Sequence, residues 1–278
     1  HHLPEPLRLV GADSGSPGAP LRIEAFGDEV PVLSGGHRIA DWRIETLNGR
    51  QVWVATLPET AQGTWSFTQF FVNGKRRPRT RVPETGLFQV AGLPDMTPET
   101  PYHQGQTRFV CHPGDVCAWR NLGDVEMISL NYWIDSHMGL KDIDPTTNMV
   151  ELDRVSDKRL TDDYVAGALG WYYLENVFEA LGRSGQWYLD RQEGKVYYLP
   201  LPGETPDTVQ AVAPQLPTLM SLRGTPSEPV RHVVFRGLQF SHNEFAGDPG
   251  KAAYGQSASA SPAAIQAEHA EACVFEHC

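Results

Sequence analysis

Positive charge, cysteine and long apolar runs are all in short supply in this sequence. Its 278 residues carry 23 Lys and Arg against 34 Asp and Glu, a formal net charge of -11. Such a chain lacks the concentrated cationic surface needed to displace counterions from a phosphate backbone, which excludes nucleic acid as a partner. No run of about eighteen apolar residues occurs, so no segment reads as a membrane-spanning helix and no membrane partner is expected. Long helical heptads are missing too. In their place stand 26 Gly and 22 Pro, with Val, Tyr, Trp and Phe between them, the composition of strands joined by turns. An all-β protein follows.

The four cysteines fall into two close pairs, Cys111 with Cys117 and Cys273 with Cys278. A disulfide across the Pro113-Gly114-Asp115 turn and two free thiols are both open readings of the first pair. A zinc site through Cys111, His112 and Cys117 lacks a C-x-x-C pair and a second ligand cluster. Asp142-Ile143-Asp144 and Asp162-Asp163 lack the spaced run and glycine of a calcium loop. The glycine-rich turn Gly11–Pro20 lacks the Gly-Lys-Ser/Thr ending of a phosphate loop. The chain is therefore read with no metal and no cofactor.

The clearest positive signal lies near the C-terminus. Val233-Val234-Phe235-Arg236-Gly237-Leu238-Gln239-Phe240 is echoed by Cys273-Val274-Phe275-Glu276-His277-Cys278, with apolar and polar side chains alternating in both. An echo of short strands is the mark of stacked rungs, each covering the inner face of its neighbour. Phe235 and Phe275 stand at equivalent positions, and the loop from Ser241 to Pro262 separates them. The second copy has no successor, so the chain is expected to be part of a longer protein and to need a missing C-terminal β-helix or an oligomeric partner. Leu7–Val10, Leu21–Phe26 and Val30–Gly36 read as further rungs near the N-terminus. Leu219–Leu222 and Ala263–Ala267 form another matching pair.

Between these ends the pattern changes to longer strands. Phe70-Phe71-Val72 runs into Asn73-Gly74, whose residue types suit the positive φ angles of a tight hairpin. The basic run from Lys75 to Arg81 reads as a strand edge or as a donor of internal ion pairs. Val125–Trp133 alternates strictly, and Gln186–Asp190 leads through Gly194 to Lys195–Leu199. Two such hairpins suggest a β-sandwich module. Leu174, Val177, Phe178 and Leu181 share 3.6 spacing, which predicts one short helix ended by Gly182. Three regions are expected: rungs and hairpins over 1–107, an inserted β-sandwich-like module over 108–215, and resumed rungs over 216–278.

Leu33-Ser34-Gly35-Gly36, Phe71-Val72-Asn73-Gly74-Lys75-Arg76, Tyr173–Leu181, Gly185-Gln186-Trp187-Tyr188-Leu189-Asp190 and Phe235-Arg236-Gly237-Leu238-Gln239-Phe240-Ser241-His242 occur in consistent order along the chain. Together they resemble bacterial right-handed parallel β-helix proteins of the glycoside hydrolase type, such as β-xylosidases, xylanases and α-L-fucosidases. The resemblance implies a parallel β-helix interrupted by a β-sandwich insertion, with a sugar cleft between them. It also implies an extracellular or periplasmic protein acting on plant or microbial polysaccharide or oligosaccharide through an Asp/Glu pair. The resemblance places that catalytic pair C-terminal to Cys278, so the segment in hand is expected to be inactive alone. One such fold carries many functions. A non-catalytic carbohydrate-binding or adhesive module is the first alternative, and a polysaccharide lyase the second.

Glycoside hydrolysis needs a carboxylic acid and a second carboxylate, about 5 Å apart for retention and farther apart for inversion. Rungs stack about 4.8 Å apart, near the retaining separation. The carboxyls to consider within the chain are Glu244, Asp248 and Glu268, whereas Glu268 and Glu276 also read as solvated outer-face residues. Trp133, Asp135 and His137 place an aromatic ring beside a carboxylate and an imidazole, as sugar recognition requires. His242, Glu244 and Gln256 join them as candidate sugar contacts at the start of the long loop and within it. Glu175-Asn176 read as a bridge between modules rather than as sugar contacts.

Overall fold

A computed structural model describes residues 1–248, 250–259 and 261–278. The regular secondary structure of the described residues is almost all strand, with one four-residue α-helix at Pro58–Ala61, and the protein is all-β. No described helix is long and apolar enough to cross a membrane.

Two kinds of pairing divide the molecule. At the chain's two ends the ladders are parallel: Leu7–Val10 pairs with Met220–Arg223, which pairs with Ile265–Glu268. Leu21–Glu24, Val233–Arg236 and Val274–Glu276 form a second parallel ladder in which Ile23, Phe235 and Phe275 are in register. Val32–Ser34 pairs in the same sense with Gln239–Ser241, and Val230–Arg231 with Ala270–Glu271. Alternation along each strand turns Leu9, Met220, Leu222, Val233 and Phe235 into a common apolar interior. The Phe235 and Phe275 rings stack at 4.7 Å, as the sequence echo predicts. Gly35 and Gly36 serve a close approach in this region. A Cβ at Gly35 would lie 2.2 Å from a Leu219 methyl, and one at Gly36 would lie 2.4 Å from a Val212 methyl.

Most other ladders are antiparallel. The largest sheet runs in the order Phe88–Gln89, Trp171–Glu175, Glu126–Asn131, Ile134–Asp144, Met149–Leu152, Arg108–Val110, with Arg81–Val82 also on Trp171–Glu175. Its buried face carries Phe109, Met127, Met138, Val150, Tyr172 and Leu174. A four-stranded sheet joins Arg43–Leu47 and Arg50–Thr56 to Trp187–Asp190 and Lys195–Tyr198. A third contains Gly36–Ile39, Ala211–Pro214 and the Phe71–Arg76 hairpin. Strands from before and after residue 107 thus share hydrogen-bonded ladders. The hairpin turns through Asn73 and Gly74 with φ of 52° and 71°, the mirror-type geometry that favours these two residues.

The short helix expected over 174–181 is a correction. Trp171–Glu175 is a strand, Asn176 has φ 60°, and only Phe178–Ala180 coils, as a 3₁₀ turn. Leu174, Val177 and Leu181 are all buried, but they enter the interior from a strand, an extended residue and a turn end. The apparent 3.6 period came from that succession. Asn176 is the linchpin of this segment. Its carboxamide donates to the carbonyls of Asp124 and Leu189 and accepts from the Leu189 amide, so it ties the largest sheet to the four-stranded one. The four cysteines are free thiols, with Cys111 in the core and Cys117 at the surface.

Candidate functional site

Beyond the Asn73-Gly74 hairpin the chain runs extended beside Trp187. The Thr80 amide donates to the Trp187 carbonyl, and the Trp187 amide to that of Pro78. Extended backbone sends alternate side chains to one side, and Arg77, Arg79 and Arg81 all line one groove of about 450 Å³. Arg79 is the hub. Its guanidinium lies 2.8 Å from Glu126 and 3.7 Å from Glu175. These two glutamates are direct cross-strand partners, an arrangement that like charges destabilise unless a cation stands between them. Arg77 is likewise paired with Glu204, and Arg81 lies over the Tyr173 ring at 4.2 Å. The basic run therefore supplies internal partners more than a free surface.

The network continues through His137. Its Nδ1 lies 3.2 Å from Glu126 Oε1 and its Nε2 lies 3.4 Å from Asp135 Oδ2. Burial by itself lowers the imidazole's affinity for a proton, but the hydrogen bonds to Asp135 and Glu126 outweigh it and hold His137 well above the ordinary histidine range. Burial opposes the charged form of Glu126 too. The His137 and Arg79 contacts prevail and keep its carboxyl far below the usual carboxylate value. Both Glu126 oxygens are thereby committed.

A smaller cavity of about 120 Å³ opens over this network and is lined by Thr68, Arg79, Glu126, His137, Asp153 and Arg154, among others. Thr68 and Arg79 line both spaces. Glu244 reaches the same wall from the opposite part of the chain. After Gln239–Ser241 the backbone turns at His242 with φ 61°, and the Glu244 amide donates to the Leu216 carbonyl. Thr68 Oγ1 donates to Glu244 Oε1 at 2.9 Å, as does the Phe245 amide at 3.1 Å. Oε2 is shut off from solvent and has no partner. Burial pushes this carboxyl up to about 7, against the smaller opposing effects of Thr68, Phe245 and Arg79. One carboxyl that keeps a proton near neutrality thus stands close to a network of fixed charges, a combination suited to acid–base work on a bound molecule.

The structure separates residues that neighbour one another in sequence. Asp135 and His137 lie two apart on one strand and enter the Glu126 network. Trp133 occupies the hairpin tip, 72% exposed, and stacks on Tyr132 instead. His242 packs against the Phe71 ring at 4.8 Å, and its Nδ1 lies 2.9 Å from Ser34 Oγ. Burial lowers its pKa and favours the neutral ring. Asp248 accepts from the Gly250 amide within its own loop, and Gln256 and Glu268 are exposed. Glu175 touches Arg79, whereas Asn176 is fully committed to the backbone. Sequence reasoning did not single out Thr68, Arg79, Glu126 or Arg154 as site residues. The alternation of Val125–Trp133 could have drawn attention to Glu126 as a charge within an otherwise apolar strand.

A family model described as the GH141 insertion domain matches residues 50–201. A solved structure titled "Glycoside hydrolase" is similar to this chain with 25% sequence identity and a TM-score of 0.72, over 88% of this chain and 42% of that one. The chain thus spans less than half the length of that structure. No curated protein matches it.

Proposed function

We propose, from the premise that the chain belongs to the GH141 insertion-domain family, that it forms the glycan-binding cleft of a secreted glycoside hydrolase acting on polysaccharide. In this reading the parallel ladders are rungs of a right-handed parallel β-helix, the antiparallel sheets are its insertion, and the sugar lies between Glu244 and the Arg79–Glu126–His137 network. The observation that carries the proposal is the Glu244 carboxyl. Thr68 fixes one oxygen while the other is buried without a partner. A protonated carboxyl whose second oxygen has no protein partner is suited, once its side chain turns that oxygen toward a bound glycan, to hydrogen-bond a glycosidic oxygen and transfer its proton as the bond to the sugar breaks. Glu126 is a poor nucleophile because Arg79 and His137 occupy both of its oxygens. Its part is to set the local field and the shape of the wall. We assign the second carboxylate of the pair to none of the described residues. In this reading it belongs to a neighbouring rung, where the stacking distance of about 4.8 Å suits the chemistry.

The test is hydrolysis of soluble plant and microbial polysaccharides by the full-length protein, read as reducing ends. Glu244→Gln keeps the shape and removes the transferable proton, and it should lower turnover at least about 100-fold with unchanged folding. Full turnover by that variant would remove Glu244 from the chemistry. Binding without turnover by the wild-type protein would convert the cleft into a non-catalytic glycan-binding site.

A further inference from the structure

An exposed aromatic surface of the antiparallel part, formed by Tyr132, Trp133 and Tyr164, has no role in the Glu244 cleft. Strands Glu126–Asn131 and Ile134–Asp144 are joined by Tyr132 and Trp133, with Asn131 and Ile134 as the closing pair. Trp133 adopts φ 60°, a conformation that Asn or Gly would occupy more easily. Its ring gains little burial in return. It stacks on Tyr132 at 5.3 Å and 26°, and Tyr164, 79% exposed, meets Tyr132 edge-on at 4.4 Å. A bulky ring held at a strained position and presented to solvent buries little surface in the folded chain.

Beside these rings lies a hollow of about 560 Å³ whose lining includes Tyr102, Lys158, Arg159 and Asp163. It shares no lining residue with the groove or the cavity at Arg79. Asp163 fixes the floor by accepting from the Tyr102 hydroxyl and the Tyr132 amide. Arg159 gives one guanidinium nitrogen to the Thr100 carbonyl, while its Nε is buried and has no acceptor. The buried Asn131 Oδ1 nearby lacks a donor, although its Nδ2 reaches the Arg159 carbonyl. The four charges here, Lys158, Arg159, Asp162 and Asp163, balance formally. A charge-balanced hollow favours no ion. Flat rings beside the Lys158, Thr161 and Asp162 side chains of the lining suit a pyranose, whose C–H face lies on an aromatic ring while its hydroxyls both donate and accept.

We infer that this face is a second glycan-binding site, which holds a neutral polysaccharide chain by stacking on Trp133 and Tyr132, apart from the Glu244 cleft. It places no demand on catalysis, so it stands or falls separately from the hydrolase proposal. Migration of the 278-residue chain in native gels containing arabinoxylan, mixed-linkage β-glucan, xyloglucan or galactomannan tests it, with polygalacturonate as the anionic comparison. At least one neutral polymer should retard the protein more strongly than polygalacturonate does. Trp133→Asn removes the ring while easing the backbone and should weaken retardation at least about tenfold. Tyr164→Ala, at an exposed ring, should weaken it as well, and Arg236→Ala, at an exposed residue outside both sites, should leave it unchanged. The inference is overturned if no neutral polymer retards the protein, if Trp133→Asn and Tyr164→Ala migrate as the wild type does, or if Arg236→Ala abolishes retardation. It is also overturned if gel filtration shows that Trp133→Asn dissociates a dimer without altering retardation, because the face would then belong to a second copy of the chain.

Discussion

In the parallel ladders, charge stays outside. Arg231–Glu271 and Arg236–Glu276 link neighbouring strands with side chains between 42% and 60% exposed, while the interior is Leu, Val, Met and Phe. The antiparallel part takes charge inside. Asp190 is fully buried against Arg120, Arg77 and Glu204 are each 10% exposed, and Arg79 is 10% exposed beside Glu126. Strands stacked in parallel register repeat nearly the same apolar face toward one interior, which leaves little room there for an irregular polar cluster. Sheets that meet face to edge enclose irregular spaces, and there a carboxylate can be stripped of water if a guanidinium accompanies it. The unusual proton affinities of His137 and Glu126 arise within that second kind of packing, and that of Glu244 just beyond the Gln239–Ser241 strand of a parallel ladder.

The sharpest way to break the comparison is to remove the cation at its centre. Arg79→Ala leaves Glu126 and Glu175 opposed across two hydrogen-bonded strands with only His137 to compensate. Breaking a largely buried pair in this way should cost about 3–5 kcal/mol, measured as the change in urea unfolding at neutral pH. A loss below about 1 kcal/mol would show that water reaches the network and that its charges resemble those on the parallel ladders.

A smaller effect tests whether the network is linked to pH. His137 has a raised proton affinity in the fold, so its contribution is complete below the ordinary histidine value of 6.5 and is lost as pH rises through the folded value. Glu126 is shifted the other way. Its contribution is complete above 4.5 and is lost as pH falls through the folded value. The pair therefore stabilises most between those two limits. His137→Gln should flatten the alkaline side of the stability–pH curve by on the order of 1 kcal/mol, a figure reduced because the side chain is 38% exposed. An unchanged alkaline limb would mean that His137 is no more protonated in the fold than in the unfolded chain.

The two regions also differ in how far they could be read from sequence. The register of Phe235 with Phe275 and the turn at Asn73-Gly74 were legible because each rests on local rules, strand alternation in one case and the steric demand of positive φ in the other. The Arg79–Glu126 contact spans 47 positions, and nothing local to either residue marks the other. Grouping Trp133 with Asp135 and His137 failed for a related reason. The turn at Trp133 swings its ring away, whereas residues two apart on the following strand share a face. The segment 174–181 misled because a strand leading through Asn176 into a 3₁₀ turn buries residues at helical intervals. Glu244 was legible as a place, the point where a strand leaves its ladder. The hydrogen bond that holds its Oε1 comes from Thr68, 176 positions away in the sequence.

The least effect is expected at the surface of the parallel ladders, where it completes the comparison. Arg236 and Glu276 sit on adjacent parallel strands with their charged atoms 3.4 Å apart, yet both side chains remain about half in water. Water screens the attraction, and fixing two long side chains in one geometry costs entropy that offsets most of it. Arg236→Ala should therefore change stability by no more than about 0.5 kcal/mol, and a double-mutant cycle with Glu276→Ala should give a coupling within the same range. Raising the salt concentration should reduce even that coupling, since exposed charges are readily screened. A coupling above about 1.5 kcal/mol that resists salt would place this pair with Arg79 and Glu126. The parallel ladders would then be using charge structurally, and the division between outer-charged parallel ladders and inner-charged antiparallel sheets would fail.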